Sequence, residues 1–112
     1  MKKAIFFPIL AGFFLMMFLG FSSPAQSAKE PIVIGFIHSM SGAMSMYGIS
    51  SEAGGQIAVE EINAAGGILG RPLKMIARDD KLNAETGLRE AKDLILSEKA
   101  DFLTGTISSA VA

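Results

Sequence analysis

The chain has 112 residues, half of them hydrophobic, with ten basic and eleven acidic side chains, one histidine and no cysteine. That length allows one small domain once any leader is set aside, and the near-even charge excludes the clustered basic face of a nucleic-acid-binding surface. Without cysteine there is no disulfide framework and no thiol nucleophile, so the fold must rest on a packed core.

In chain order, Lys2-Lys3 precede an apolar stretch from Ala4 to Phe21 that holds six of the eight phenylalanines, and a short polar segment, Ser22 to Lys29, follows. This three-part layout predicts a cleaved secretory signal peptide over residues 1–28 and an extracytoplasmic protein. Small residues allow cleavage after Ala25, with Ser23 two residues before it, or after Ser27, with Ala25 two residues before it. The spacing does not choose between them. The lack of a cysteine after the apolar run excludes lipid-anchored export. An uncleaved anchor is the competing reading, but Pro8, Gly12 and Gly20 weaken a spanning helix of about 20 residues. From Lys29 onward, eight basic side chains face all eleven acids, a mildly acidic balance. A domain of residues 29–112 buries only a modest share of its surface and is marginal alone.

Ile32 to Ile37 is a continuous apolar, β-branched run, the pattern of a strand buried on both faces of a parallel sheet. The small polar loop His38 to Tyr47 follows. A helix is predicted over Ser51 to Ala65, with an apolar stripe of Ala53, Ile57, Ala58, Ile62 and Ala65, an N-cap at Ser50 or Ser51, and Glu52 in the first turn. Gly54 and Gly55 cost helix stability and predict close approach of the backbone, most simply to the sheet. Gly66-Gly67 ends the helix and Gly70-Arg71-Pro72 turns the chain into a strand over Leu73 to Ala77, whose Lys74 places it at the outside of the sheet. Asp79-Asp80 reads as a turn or helix-start feature. Asn83 caps a second helix running to about Lys99, with Ala84, Leu88, Ala91 and Ile95 inward and Glu85–Arg89 and Arg89–Asp93 pairs outward. Phe102 to Gly105 is a short third strand, and a third helix begins within Thr106 to Ala112.

The order β-α-β-α-β predicts an α/β fold, a three-layer parallel sheet in strand order 2-1-3. Strands 1 and 3 then flank a topological switch point, where ligands of open α/β sheets bind. That puts the loop from His38 to Tyr47 beside Ser108 and Ser109. Other chemistries fit worse. His38, Met40, Met44 and Met46 have soft-metal donor types, but methionine in an irregular loop is first a gap-filler, and no metal or cofactor is expected. There is no dinucleotide-binding glycine pattern, no Walker sequence and no nucleophile elbow, so the chain is read as a non-enzyme.

The ordered run Ser39-Met40-Ser41-Gly42, Tyr47-Gly48, Ala58-Val59-Glu60-Glu61-Ile62-Asn63-Ala64-Ala65-Gly66-Gly67-Ile68-Leu69-Gly70-Arg71-Pro72-Leu73 and Asp79-Asp80 resembles the type I periplasmic solute-binding proteins, and within them the leucine/branched-chain amino-acid binding group of ABC transporters. The resemblance implies that residues 29–112 are the amino-terminal part of the first of two lobes, truncated relative to members of the family. It implies capture of an amino acid or related small amide in the periplasm, delivery to permease subunits in the inner membrane, and a monomer when complete. Hydroxyls after the third strand hold the ligand carboxylate in that family, and the matching positions are Ser108 and Ser109. Tyr47, with Ser39 and Ser41 of the first loop, would line the pocket. A sensor ectodomain of the same lobe architecture and a truncated product without function are the rival readings.

Overall fold

The computed structural model describes residues 29–112, so the leader, its cleavage positions and the anchor alternative lie outside the described residues. Strand β1 (Ile32–His38) is followed by a 3₁₀ turn (Gly42–Met44), helix α1 (Ser45–Ala64), strand β2 (Leu73–Asp79), helix α2 (Ala84–Leu96) and strand β3 (Phe102–Gly105). The three strands form one parallel sheet in the order β2-β1-β3, as expected. Ile32 pairs with Leu73 and the register runs to His38 opposite Asp79, while Ile34 to Ile37 pair with Phe102 to Gly105. The most apolar run thus takes the centre, where both faces are covered, and the Lys74 strand takes an edge. Among the described residues no helix is long and apolar enough to cross a membrane.

The core is small. Among the described residues, Phe36, Ile37, Val59, Leu73 and Leu94 are the buried hydrophobic side chains. Helix α2 is capped as expected, the Asn83 side chain accepting from the Thr86 amide at 2.8 Å. Its inward face differs from the expected stripe. Gly87 and Leu94 are buried, whereas Leu88 and Ile95 are exposed. The acids of α2 also find a different partner. Arg78 of β2 reaches Glu90 at 3.6 Å and Asp93 at 3.4 Å, and Glu98 just past the helix at 2.8 Å, and Arg89 pairs with its neighbour Glu90 at 3.2 Å instead of with Glu85 or Asp93.

Helix α1 departs most from the sequence reading. It starts at Ser45, not at Ser51, directly out of the 3₁₀ turn, and its N-cap Met44 contributes no side-chain hydrogen bond. Gly48, which lies before the predicted helix start, is buried inside the helix, and a Cβ there would stand 2.1 Å from the carbonyl oxygen of Ser39. The glycine permits contact between helix and loop. The expected stripe is turned outward: Ala53, Ile57, Ala58 and Ala65 are exposed and only Ile62 is half-buried. Gly48, Gly55, Val59 and Asn63 face the sheet instead, a Cβ at Gly55 meeting the Met75 sulfur at 3.0 Å and the Asn63 amide exchanging hydrogen bonds of 2.7 and 2.8 Å with the backbone of Leu73. Small residues let the helix axis come close to β2. Gly54, expected to do the same, faces open space.

Gly66 and Gly67 end α1 with φ of 103° and 77°, and Leu69 and Gly70 form a two-residue turn closed by paired backbone bonds between Ile68 and Arg71 of 2.8 and 2.9 Å.

Candidate functional site

The carboxyl ends of β1 and β2 are locked together by the two aspartates. The Asp79 carboxylate accepts from the Met40 amide at 2.9 Å and from the Lys81 amide at 2.8 Å. Asp80 is fully buried, and its Oδ1 accepts from the Ser39 hydroxyl at 2.6 Å and from the Leu82 amide at 2.8 Å. The Asp80 amide in turn donates to the His38 carbonyl at 3.1 Å. Burial alone would raise the Asp79 pKa. The Ser41 hydroxyl, the Lys81 and Met40 amides and the Lys81 charge outweigh it and hold the carboxyl below its usual value. Lys81 and Leu82 both adopt the left-handed region, with φ of 54° and 55°. Their amides are the ones the aspartates accept from, which offsets the cost of that conformation.

On the other side of β1, Gly105 ends β3 at φ 119°, and a Cβ there would lie 1.9 Å from the Ile37 carbonyl oxygen. That contact lets the Thr106 amide donate to the same oxygen at 2.6 Å. The chain then closes a turn at Ser108, whose hydroxyl accepts from the Ala110 amide at 3.2 Å and whose carbonyl accepts from the amides of Val111 and Ala112 at 2.9 and 3.2 Å. This is a capped turn where a third helix was expected to begin. A hydroxyl accepting one bond keeps its own proton free to donate.

The five candidate residues differ in access. Ser41 and Ser109 are exposed, Ser108 is half-buried and Tyr47 keeps 61% of its surface. Tyr47 belongs to the first turn of α1 and not to a loop. Ser39 has no exposed surface and its hydroxyl is committed to Asp80. A separate cleft of about 530 Å³ lies between α2 and β3, lined chiefly by Ile37, Leu88, Ala91, Leu103 and Val111. It is apolar and includes none of the five. Among the described residues no group of three His, Cys, Asp or Glu side chains is gathered that could hold a metal ion.

Residues 31–112 match the family described as periplasmic binding protein. The chain belongs to that family. Among curated relatives, it is 36% identical over 85 residues to the Leu/Ile/Val-binding protein homolog 7 of Brucella suis, covering 76% of this chain and 21% of the relative. It is 34% identical over 88 residues to the Leu/Ile/Val-binding protein BraC3 of Rhizobium johnstonii, covering 79% and 24%. The crystal structure of LivJ, the branched-chain amino acid transporter substrate-binding protein of Streptococcus pneumoniae in complex with isoleucine, superposes with a TM-score of 0.68 at 33% identity, over 72% of this chain and 23% of that one. An amino acid ABC transporter substrate-binding protein of Pseudomonas fluorescens gives a TM-score of 0.66 at 33% identity, covering 75% and 22%. The chain therefore spans between a fifth and a quarter of the length of these relatives.

As a member of the periplasmic binding protein family, the chain carries a parallel sheet in the order 2-1-3, with the loops after β1 and β3 at the same end of adjacent strands. The reading from sequence missed how much the aspartates do. Expected as a turn or helix-start feature, Asp79 and Asp80 do shape that turn, and they also anchor the first loop across 39 to 41 residues of sequence. The available signal was a buried-type serine directly after a central strand with two acids after its neighbour.

Proposed function

We propose that residues 29–112 form the amino-terminal part of the first lobe of an extracytoplasmic solute-binding component of an ABC transporter, exported by the leader at residues 1–28. The solute is a branched-chain amino acid or a related small amide, captured without chemistry between two lobes and passed to permease subunits. One observation carries the reading: the loop after β1 and the serine turn after β3 leave adjacent parallel strands at their carboxyl ends, tied by the Thr106 amide on the Ile37 carbonyl. An open α/β sheet takes its ligand at such a crevice.

In this reading Ser108 and Ser109 hold the ligand carboxylate, the Ser108 hydroxyl donating outward while it accepts from Ala110. Tyr47 and Ser41 border the ligand from the other side. Ser39 acts from beneath, keeping the loop in place through Asp80. The test is a chimera in which residues 29–112 replace the matching segment of the Pseudomonas fluorescens binding protein, titrated calorimetrically with leucine, isoleucine and valine. Saturable binding of at least one is expected, weakened by about 1–3 kcal/mol in Ser108→Ala if that hydroxyl is a buried partner of the carboxylate. A folded chimera that binds none of the three overturns the reading, and unchanged affinity in both Ser108→Ala and Ser109→Ala removes the carboxylate role.

A further inference from the structure

The N-cap of α2, Asn83, donates its amide to the Asp80 carbonyl at 2.9 Å, so the helix leaves from the residue that holds the Ser39 hydroxyl. Gly87, one turn further on, is buried. Its backbone is ordinary helix, so no left-handed conformation calls for glycine there, and glycine in a helix interior costs stability relative to alanine. The reason is space. A Cβ at position 87 would stand 2.8 Å from Val111 Cγ1 and 3.6 Å from Asp80 Cβ. At this one residue α2, the end of β2 and the segment after β3 come together.

We propose that Gly87 is a positioning residue for solute capture: by lacking a Cβ it seats Val111, and with it the Ser108-Ser109 turn, at the separation from the first loop that the ligand needs, a role that rests on the function proposed above. The turn moves as one unit, since the Ser108 carbonyl accepts from the Val111 and Ala112 amides and the Ser108 hydroxyl accepts from the Ala110 amide. It is fixed at its start by the Thr106 amide on the Ile37 carbonyl and near its end by Val111 against Gly87. The first loop is fixed through Ser39 on Asp80, whose Cβ flanks the same glycine. Both walls of the crevice therefore take their spacing from one position on α2. Valine is stiff at χ1, so a push on its methyl passes to the backbone. Carbons not bonded to each other rest about 3.5–4.0 Å apart, so a methyl at 2.8 Å would displace the turn by roughly 0.7 Å. Binding constellations tolerate misplacement of about 0.5 Å, and the displaced atoms include the hydroxyls assigned to the carboxylate.

The test uses the chimera that carries residues 29–112, titrated calorimetrically with leucine, isoleucine and valine. Gly87→Ala should weaken binding by about tenfold or more. Adding Val111→Ala should return the affinity to within about threefold of the parent chimera, because the methyl then sits on the other side of the same contact. Positioning is separated from packing by repeating Gly87→Ala in whichever of Ser108→Ala and Ser109→Ala weakens binding more. There it should cost less than about threefold, since the hydroxyl it would displace is already gone, whereas lost packing would weaken binding equally in both backgrounds. Four results overturn the inference and leave the proposed function in place: Gly87→Ala binding as the parent does, no recovery with Val111→Ala, an equal penalty in both backgrounds, or loss of the parent's circular dichroism in Gly87→Ala, which would give the glycine to packing alone. A folded parent chimera that binds none of the three overturns the proposed function, and this inference with it.

Discussion

Asp79 and Asp80 are adjacent and chemically identical, yet they are held differently. Asp79 is half-buried, surrounded by the Ser41 hydroxyl and two amides; Asp80 is buried outright, with Oδ1 accepting twice and Oδ2 without a partner. The held-down acidity of Asp79 has a definite consequence for stability. A carboxyl with a lower pKa folded than unfolded stabilises fully above its unfolded value, about 3.9, and loses that contribution as pH falls through the folded value. The melting midpoint should therefore fall below about pH 4. Asp79→Asn keeps an oxygen in place for the Met40 and Lys81 amides and removes the charge. It should lower the midpoint at neutral pH and flatten its decline in acid, as read by circular dichroism melts across that range. A decline as steep in Asp79→Asn as in the parent would place the acid sensitivity elsewhere.

At the level of elements, the β-α-β-α-β order, the 2-1-3 sheet, the Asn83 cap and the edge position of the Lys74 strand were legible because each rests on a local or periodic signal. The start and the orientation of α1 were not. Glycine at 48 has one appearance in sequence and two possible reasons, a helix breaker or a site of close contact, and only the position of the Ser39 carbonyl decides. The orientation was ambiguous because Ala53 and Ile57 on one side compete with Val59 and Ile62 on the other. Tight packing by Gly48 and Gly55 settled it. The Arg78 ion pairs were illegible for a related reason, since they join a strand to a helix across 12 to 20 residues while the sequence offers the nearer i,i+4 partners. The glycines make a paired prediction. Gly54→Ala adds a methyl in open space within a helix interior and should stabilise by roughly 0.5–1 kcal/mol. Gly48→Ala drives a methyl into the Ser39 carbonyl and should destabilise by about 2 kcal/mol or more. Denaturant midpoints measure both, and equal effects of the two substitutions would contradict the assignment of sides.

Among the described residues, five buried hydrophobic side chains serve a three-stranded sheet and two helices, while Phe102, Leu103, Leu88 and the Ala53–Ile57 side of α1 stay in water. Among the described residues no strand pairs with the outer edge of β3, and all four of its residues are exposed. Stability scales with the surface removed from water, and a core of this size leaves little beyond the conformational entropy lost on folding. The unfolding transition of the chain alone should thus be broad and weakly cooperative. On the proposed function it should not move with millimolar leucine, because the described residues supply one side of the crevice. Circular dichroism melts at fixed protein concentration, with leucine titrated in, measure both the breadth and the shift. A sharp transition that leucine raises would mean that the segment binds by itself.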